Sequence, residues 1–199
     1  MFFFIVEGTI IPPHQKTKQY KKEKGTKGGV CSIMGNKERN KYVIHQIISA
    51  TLILFQDKKW QEISISEIIT KAEVSRNSFY RNFENKEDIL KKHLKDLSES
   101  WFSAVTGQND LSFSEKLKSI FSHCEDNKVF YQRLNEQGLL YLFKDIMTDS
   151  MDLTPESTAM EAYMKSYVIY MLYGWVETWL NRGMKESAED ISFIFSTVK

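Results

Sequence analysis

The most chemically expressive stretch of this 199-residue chain is Ser75-Arg-Asn-Ser-Phe-Tyr-Arg-Asn82. Arg76, Asn77, Arg81 and Asn82 carry planar groups with several donors. Arginine can pair bidentately with guanine at a base edge, and asparagine with adenine. Ser78 and Tyr80 carry hydroxyls that can donate to phosphate oxygens. Lys86 follows at a helix start, where backbone N–H groups also favour an anion. Phe79 and Phe83 lie one helical turn apart and turn together to one side. The polar residues are left on the other side. Such a face suits recognition of a polyanion that carries sequence information.

Nothing comparable exists for bond making. His14, His45, His93 and His123 are scattered and lack HExxH spacing. There is no GxGxxG, GxxxxGK[ST] or GxSxG. His123-Cys124-Glu125-Asp126 offers ligand-type residues, but neighbours on a helix point different ways. It reads as a helix end with one half-buried thiol, not as a metal or redox site. Cys31 and Cys124 are far apart, without CxxC, which suits a reducing cytoplasm. We expect no enzyme, no metal and no resident cofactor. The longest strongly apolar run, Tyr167–Val176, is too short to span a bilayer. Met1–Val6 lacks the flanks of a signal peptide. No membrane partner is expected.

Helices must hold the polar face in place. Gly (9) and Pro (3) are sparse, which argues for an all-α chain, since β-folds need many turns. Ile44, Ile47, Ile48, Thr51, Leu54 and Phe55 recur at helical spacing over about 37–57. After a short link at Trp60, Ser64-Ile-Ser-Glu67 predicts a capping box. It opens a helix of about eight residues, with Ile65, Ile68, Ile69 and Ala72 buried. Ser75 is an N-cap for the helix that carries the polar face. Asn85-Lys-Glu-Asp88 caps a fourth helix continued by Ile89, Leu90, His93, Leu94 and Leu97. Two short helices joined by Ala72-Glu-Val-Ser75 and packed on a longer one are a helix-turn-helix pattern.

Charge divides the chain the same way. Its 27 basic and 26 acidic side chains leave a formal +1. Residues 37–95 hold 12 basic and 8 acidic side chains, whereas residues 96–199 hold 9 and 16. A basic head meeting phosphate and an acidic body that does not is the organisation expected. Residues 1–36 hold 6 basic and 2 acidic side chains and lack periodicity, so a mostly disordered arm is expected there. Lys27-Gly28-Gly29-Val30 can be encoded by bases containing a bacterial ribosome-binding sequence shortly before Met34. Two readings follow: a basic arm that tracks phosphates, or, slightly ahead of it, an upstream extension with translation starting at Met34, which would leave a chain of net charge −3.

The body also reads as helices. Ser112 or Ser114 caps a segment through Cys124. Lys128–Gln137 and Leu139–Met151 follow, separated by Gly138. Thr154-Pro155 predicts the start of a long helix to about Asn181. Gly183 stops it, and Ser187-Ala-Glu-Asp190 caps a last helix. The long helix is apolar on more than one side, so it needs a second partner besides its own domain. A homodimer surface built from Tyr167, Met171, Trp175 and Trp179, with Ile194 and Phe195 of the last helix, is expected.

Residues from about 39 to 95 resemble the DNA-binding domain of the TetR/AcrR family of bacterial transcriptional regulators. The stretch Val74-Ser-Arg-Asn-Ser-Phe-Tyr-Arg-Asn-Phe-Glu-Asn-Lys-Glu-Asp-Ile-Leu90 is similar to that family's Val-Ser-x-x-x-Phe-Tyr-x-x-Phe-x-x-Lys-Glu-x-Leu signature. The resemblance implies that Arg76, Asn77 and Asn82 contact bases, and that Ser78, Tyr80 and Lys86 contact phosphates. Two positions depart from the pattern, Lys59 and Glu73, where glycine is usual. Gly174-Trp-Val-Glu-Thr-Trp-Leu-Asn-Arg-Gly-Met-Lys-Glu-Ser187 is similar to a signature in one C-terminal subgroup, which contains relatives of the dihydroxyacetone-kinase operon activator. The resemblance implies a sequence-specific regulator, usually a repressor. It would bind a palindromic double-stranded operator as a homodimer and respond to a small-molecule effector. The alternative is a related co-activator or interaction module acting with a separate sensor protein.

Overall fold

A computed structural model describes residues 5–6, 9–10, 35–106, 112–151, 154 and 157–197; over 100–106 it gives the backbone only. Met1–Arg39 and Asn40–Lys199 are two compact units. In the first, β1 (Ile5–Val6) pairs antiparallel with β2 (Thr9–Ile10). The expected disordered arm and the start at Met34 otherwise lie outside the described residues. Everything else described is helical or connecting, in keeping with an all-α protein.

The head begins with α1 (Asn36–Asp57), which buries Ile47, Ile48, Ala50, Thr51, Leu54 and Phe55. A 3-10 turn over Trp60–Glu62 leads to α2 (Ile65–Lys71) and α3 (Arg76–Tyr80). Ser64 caps α2, accepting from the Glu67 backbone N–H. The reciprocal half of the expected capping box is absent. The Glu67 carboxylate instead takes the Lys58 ammonium at 2.5 Å. A charge-assisted bond outcompetes a neutral backbone donor, and it holds the Glu67 carboxyl below its usual range.

The turn after α2 decides one of the two departures from glycine. The Glu73 N–H donates to the Thr70 carbonyl, and the Val74 N–H donates to the Ile69 carbonyl. That is a Schellman ending, which needs a left-handed residue after the cap. Glu73 takes that conformation at φ 53. Gly138 and Gly183, at φ 69 and 77, play the same part after two later helices. Lys59, by contrast, is extended at φ −67, so no glycine is needed there. A left-handed L-residue costs about 1–2 kcal/mol, and glycine gives back roughly 0.4–1 kcal/mol through unfolded-chain entropy. Glu73→Gly is therefore expected to stabilise the chain by about 0.5–1 kcal/mol. Urea denaturation measures it, and a loss of stability would contradict the strain at Glu73.

From α4 (Glu87–Thr106) the chain passes into the body without a break, because this helix runs through residue 95. Asn85 accepts from the Asp88 N–H at its start, as expected. The body adds α5 (Phe113–Asp126), α6 (Lys128–Glu136), α7 (Tyr141–Ser150), α8 (Ala159–Asn181) and α9 (Ala188–Thr197). Of the two candidate caps for α5, Ser112 is used, in a reciprocal box with Glu115. The long helix starts at Ala159, not at Thr154-Pro155. Thr158 and Glu161 form a complete capping box, satisfying two orphan N–H groups at once. Thr154 joins a local turn with Ser157. The fully buried Tyr131 sits among Phe143, His123 and Cys124 in the body core. There burial pushes the Cys124 thiol up to about 12, so it is an inert core residue.

His93 of α4 is packed edge-on against Phe130 of α6, with ring centroids 4.7 Å apart. Burial lowers its pKa to about 4, against a smaller opposing pull from Asp96. The folded value lies below the unfolded one. Its stabilising contribution is therefore whole above pH 6.5 and is lost as the pH falls from there towards 4. Between pH 7.5 and 4.5 the wild type should lose roughly 2–3 kcal/mol more than a His93→Gln variant. Parallel losses in chemical denaturation would rule out this titration.

Candidate nucleic-acid interface

The expected recognition face assembles on α3. Phe79 and Phe83 are 0% and 5% exposed, and they anchor the helix to the core of the head. Their rings stand 6.0 Å apart. This anchoring turns Arg76, Asn77 and Tyr80 to solvent. The Ser75 hydroxyl caps α3 by accepting from the Ser78 N–H at 3.0 Å. It also meets the Ser78 hydroxyl at 2.8 Å, leaving two hydroxyls side by side at the helix start. The Arg76 guanidinium lies 5.8 Å from the centre of the Tyr80 ring. That contact narrows the range of a long side chain before any partner arrives.

Two of the expected contact residues behave differently. Asn82 is half-buried, and its Nδ2 donates to the Ser78 carbonyl at 2.8 Å. Half of its amide therefore finishes the last turn of α3. Lys86 turns inward. Its Nζ donates to the carbonyls of Trp60 at 2.5 Å and Ile63 at 2.9 Å. It also sits 4.7 Å from the centre of the Trp60 ring. Sequence spacing placed Lys86 at a helix start but gave no sign of these partners, which lie 26 and 23 residues earlier.

The residues expected at a partner surface divide in the same way. Tyr167 and Ile194 are 64% and 44% exposed. Met171, Trp175 and Phe195 are half-buried, with Trp175 and Phe195 edge to face at 5.5 Å. Trp179 is 2% exposed, packs against Phe121 and donates its indole N–H to the Glu186 carbonyl at 2.8 Å. It belongs to the core of its own chain, because the turn after α8 folds back over it. The exposed stripe of α8 instead runs through Met160, Tyr163, Met164, Tyr167 and Tyr170, at the three- and four-residue steps of one helix face.

A short capped helix pinned by two phenylalanines, carrying arginine and asparagine outward and entered through a tight turn, defines a helix-turn-helix protein. Residues 47–92 match the model for bacterial regulatory proteins of the tetR family, and residues 112–198 match a transcriptional regulator C-terminal region. The chain belongs to the tetR family of bacterial regulatory proteins. A family of regulators agrees with the expectation that it is no enzyme.

Among relatives, the uncharacterized HTH-type transcriptional regulator YxbF of Bacillus subtilis (strain 168) is 26% identical over 159 residues, 74% of this chain and 42% of that protein. The HTH-type dhaKLM operon transcriptional activator DhaS of Lactococcus lactis is 28% identical over 83 residues, 41% of this chain and 42% of that one. The chain thus spans less than half the length of these curated relatives. A TetR transcriptional regulator from Streptococcus agalactiae 2603V has the same fold, with a TM-score of 0.58 at 22% identity over 82% of this chain and 97% of that one. No helix among the described residues is long and apolar enough to cross a membrane.

Proposed function

We propose that this chain is a sequence-specific DNA-binding transcriptional regulator of the cytoplasm. It acts as a homodimer that inserts one α3 per subunit into successive major grooves of a palindromic operator. The observation that carries this reading is the outward set of Arg76, Asn77 and Tyr80 on a helix whose other side is fixed by Phe79. Arg76, Asn77 and Asn82 read base edges, while Ser78 and Tyr80 hold phosphates. The exposed stripe of α8 and the exposed Phe193 and Ile194 of α9 are the surface a second copy would cover. Repression that a small effector relieves is the usual mode for such a regulator. The effector would change the separation of the two heads.

A second reading has one observation in its favour. Among the described residues, Phe121, Tyr131, Phe143 and Trp179 pack the interior of the body, none more than 5% exposed. A filled interior favours a co-activator whose input arrives from a separate sensor protein at the surface. Selection of bound duplexes from a random library tests the main reading. A palindromic sequence bound by the purified chain alone is the expected result. Selection of no sequence, or only in the presence of another protein, would favour the second reading.

A further inference from the structure

The link between α1 and α2 satisfies only part of its backbone through its 3-10 turn, and several of its other polar groups are held from outside. The Arg133 guanidinium of α6 donates through Nε to the Phe55 carbonyl and through Nη2 to the Lys58 carbonyl, both at 2.8 Å. It thereby meets the negative end of the α1 dipole, and it lies 5.9 Å from the Phe55 ring centre. The Trp60 N–H donates to Gln137 Oε1 at 3.0 Å. From α4, Glu87 accepts the Trp60 indole N–H at 2.8 Å, and Lys86 donates to the Trp60 and Ile63 carbonyls. Trp60 and Ile63 are 3% and 1% exposed. Removing the Lys86 donor leaves the carbonyl of the buried Ile63 without that bond, at a place water does not readily reach. Body and head thus meet on the stretch Phe55–Ile63 through directional bonds, beside the ring contact of Phe55 with Phe130.

We propose that the Trp60 turn is the joint that sets the angle of the head on the body. Lys86, Arg133 and Gln137 act there as positioning residues, and Lys86 is not a phosphate ligand. The joint rests on the DNA-binding reading only for its purpose, since its geometry is internal to the chain. A lysine whose ammonium bonds two buried carbonyls and lies over an indole face has two of its three donors committed before DNA arrives. Releasing it to a phosphate would unfasten the turn that carries α2 and α3. The arginine and glutamine are placed so that a shift of α6 along its axis pulls on the end of α1 and on Trp60 together.

Two spin labels test the joint without DNA. They are placed at the exposed Glu84 and Asp149 through Glu84→Cys and Asp149→Cys, with Cys31→Ser and the buried Cys124 left in place. The distance between them is expected to be narrowly distributed in the otherwise native chain. It should broaden or shift in Arg133→Met, Gln137→Leu and Lys86→Met at unchanged helical content. Arg133→Lys, which keeps the charge but reaches one carbonyl, should give an intermediate width and guards against a variant that fails to fold. Unchanged distributions in all of them would overturn the joint. A second measurement addresses Lys86 alone, as the salt dependence of binding to the selected duplex. Lys86→Met should weaken binding and keep the slope, whereas a slope smaller by about 1 makes Lys86 a phosphate ligand after all. A chain that binds no duplex would sink the DNA reading and leave the distance measurement to decide the joint.

Discussion

A chain carrying both Arg76→Ala and Asn77→Ala is expected to lose its sequence preference while keeping its fold. Both side chains point to solvent from α3, so their removal leaves no cavity. Each good bidentate pair with a base discriminates by about 1–3 kcal/mol. Two losses per head, doubled in the proposed homodimer, remove most of the gap of roughly 4–10 kcal/mol between specific and non-specific sites. Binding to unrelated DNA should change little, because backbone attraction supplies it. Gel shifts on the selected duplex and on a scrambled duplex measure the difference. An undiminished preference in the double variant would remove α3 from the reading of sequence.

The second large effect lies in the body. Trp179→Ala should cost about 3–5 kcal/mol, the range for emptying an aromatic site in a core. That is a large share of a typical stability of about 5–15 kcal/mol. The Glu186 carbonyl would also lose its indole donor. Trp179→Phe keeps much of the volume and loses mainly the hydrogen bond, for which about 1 kcal/mol is expected. Urea unfolding followed by circular dichroism separates the two. Weak destabilisation by alanine together with a weakened dimer would instead return Trp179 to a partner surface.

Local signals in the sequence were read well, and distant ones were not. Ser75 capping α3, Phe79 and Phe83 turning inward, and Ser187 capping α9 all follow from residues within one turn of each other. The start of α8 shows two local signals in competition. Thr158-x-x-Glu161 satisfies two backbone donors with two side chains, whereas Thr154-Pro155 only removes one donor, so the box prevails. Glu67 was diverted by a lysine 9 positions away. Trp179 shows the limit of a face reading, because a helix apolar most of the way round does not say which side its own domain takes. Arg133 and Gln137 were invisible as joint residues. Their partners lie 75 to 78 positions earlier, and spacing along a chain carries no trace of contacts formed only when helices pack. The departure at Glu73 was visible only as a question, and the backbone angle decided it.

The setting of Trp60 has an optical consequence. Its indole has a cation over the ring and a carboxylate on its N–H. The excited state of an indole shifts charge from one ring to the other, so nearby ions move its emission. If either ion withdraws, the colour of the emitted light changes with it. The difference between wild-type and Trp60→Phe fluorescence therefore isolates a reporter built into the proposed joint. Any ligand, partner or duplex that bends this molecule should announce itself there without a label.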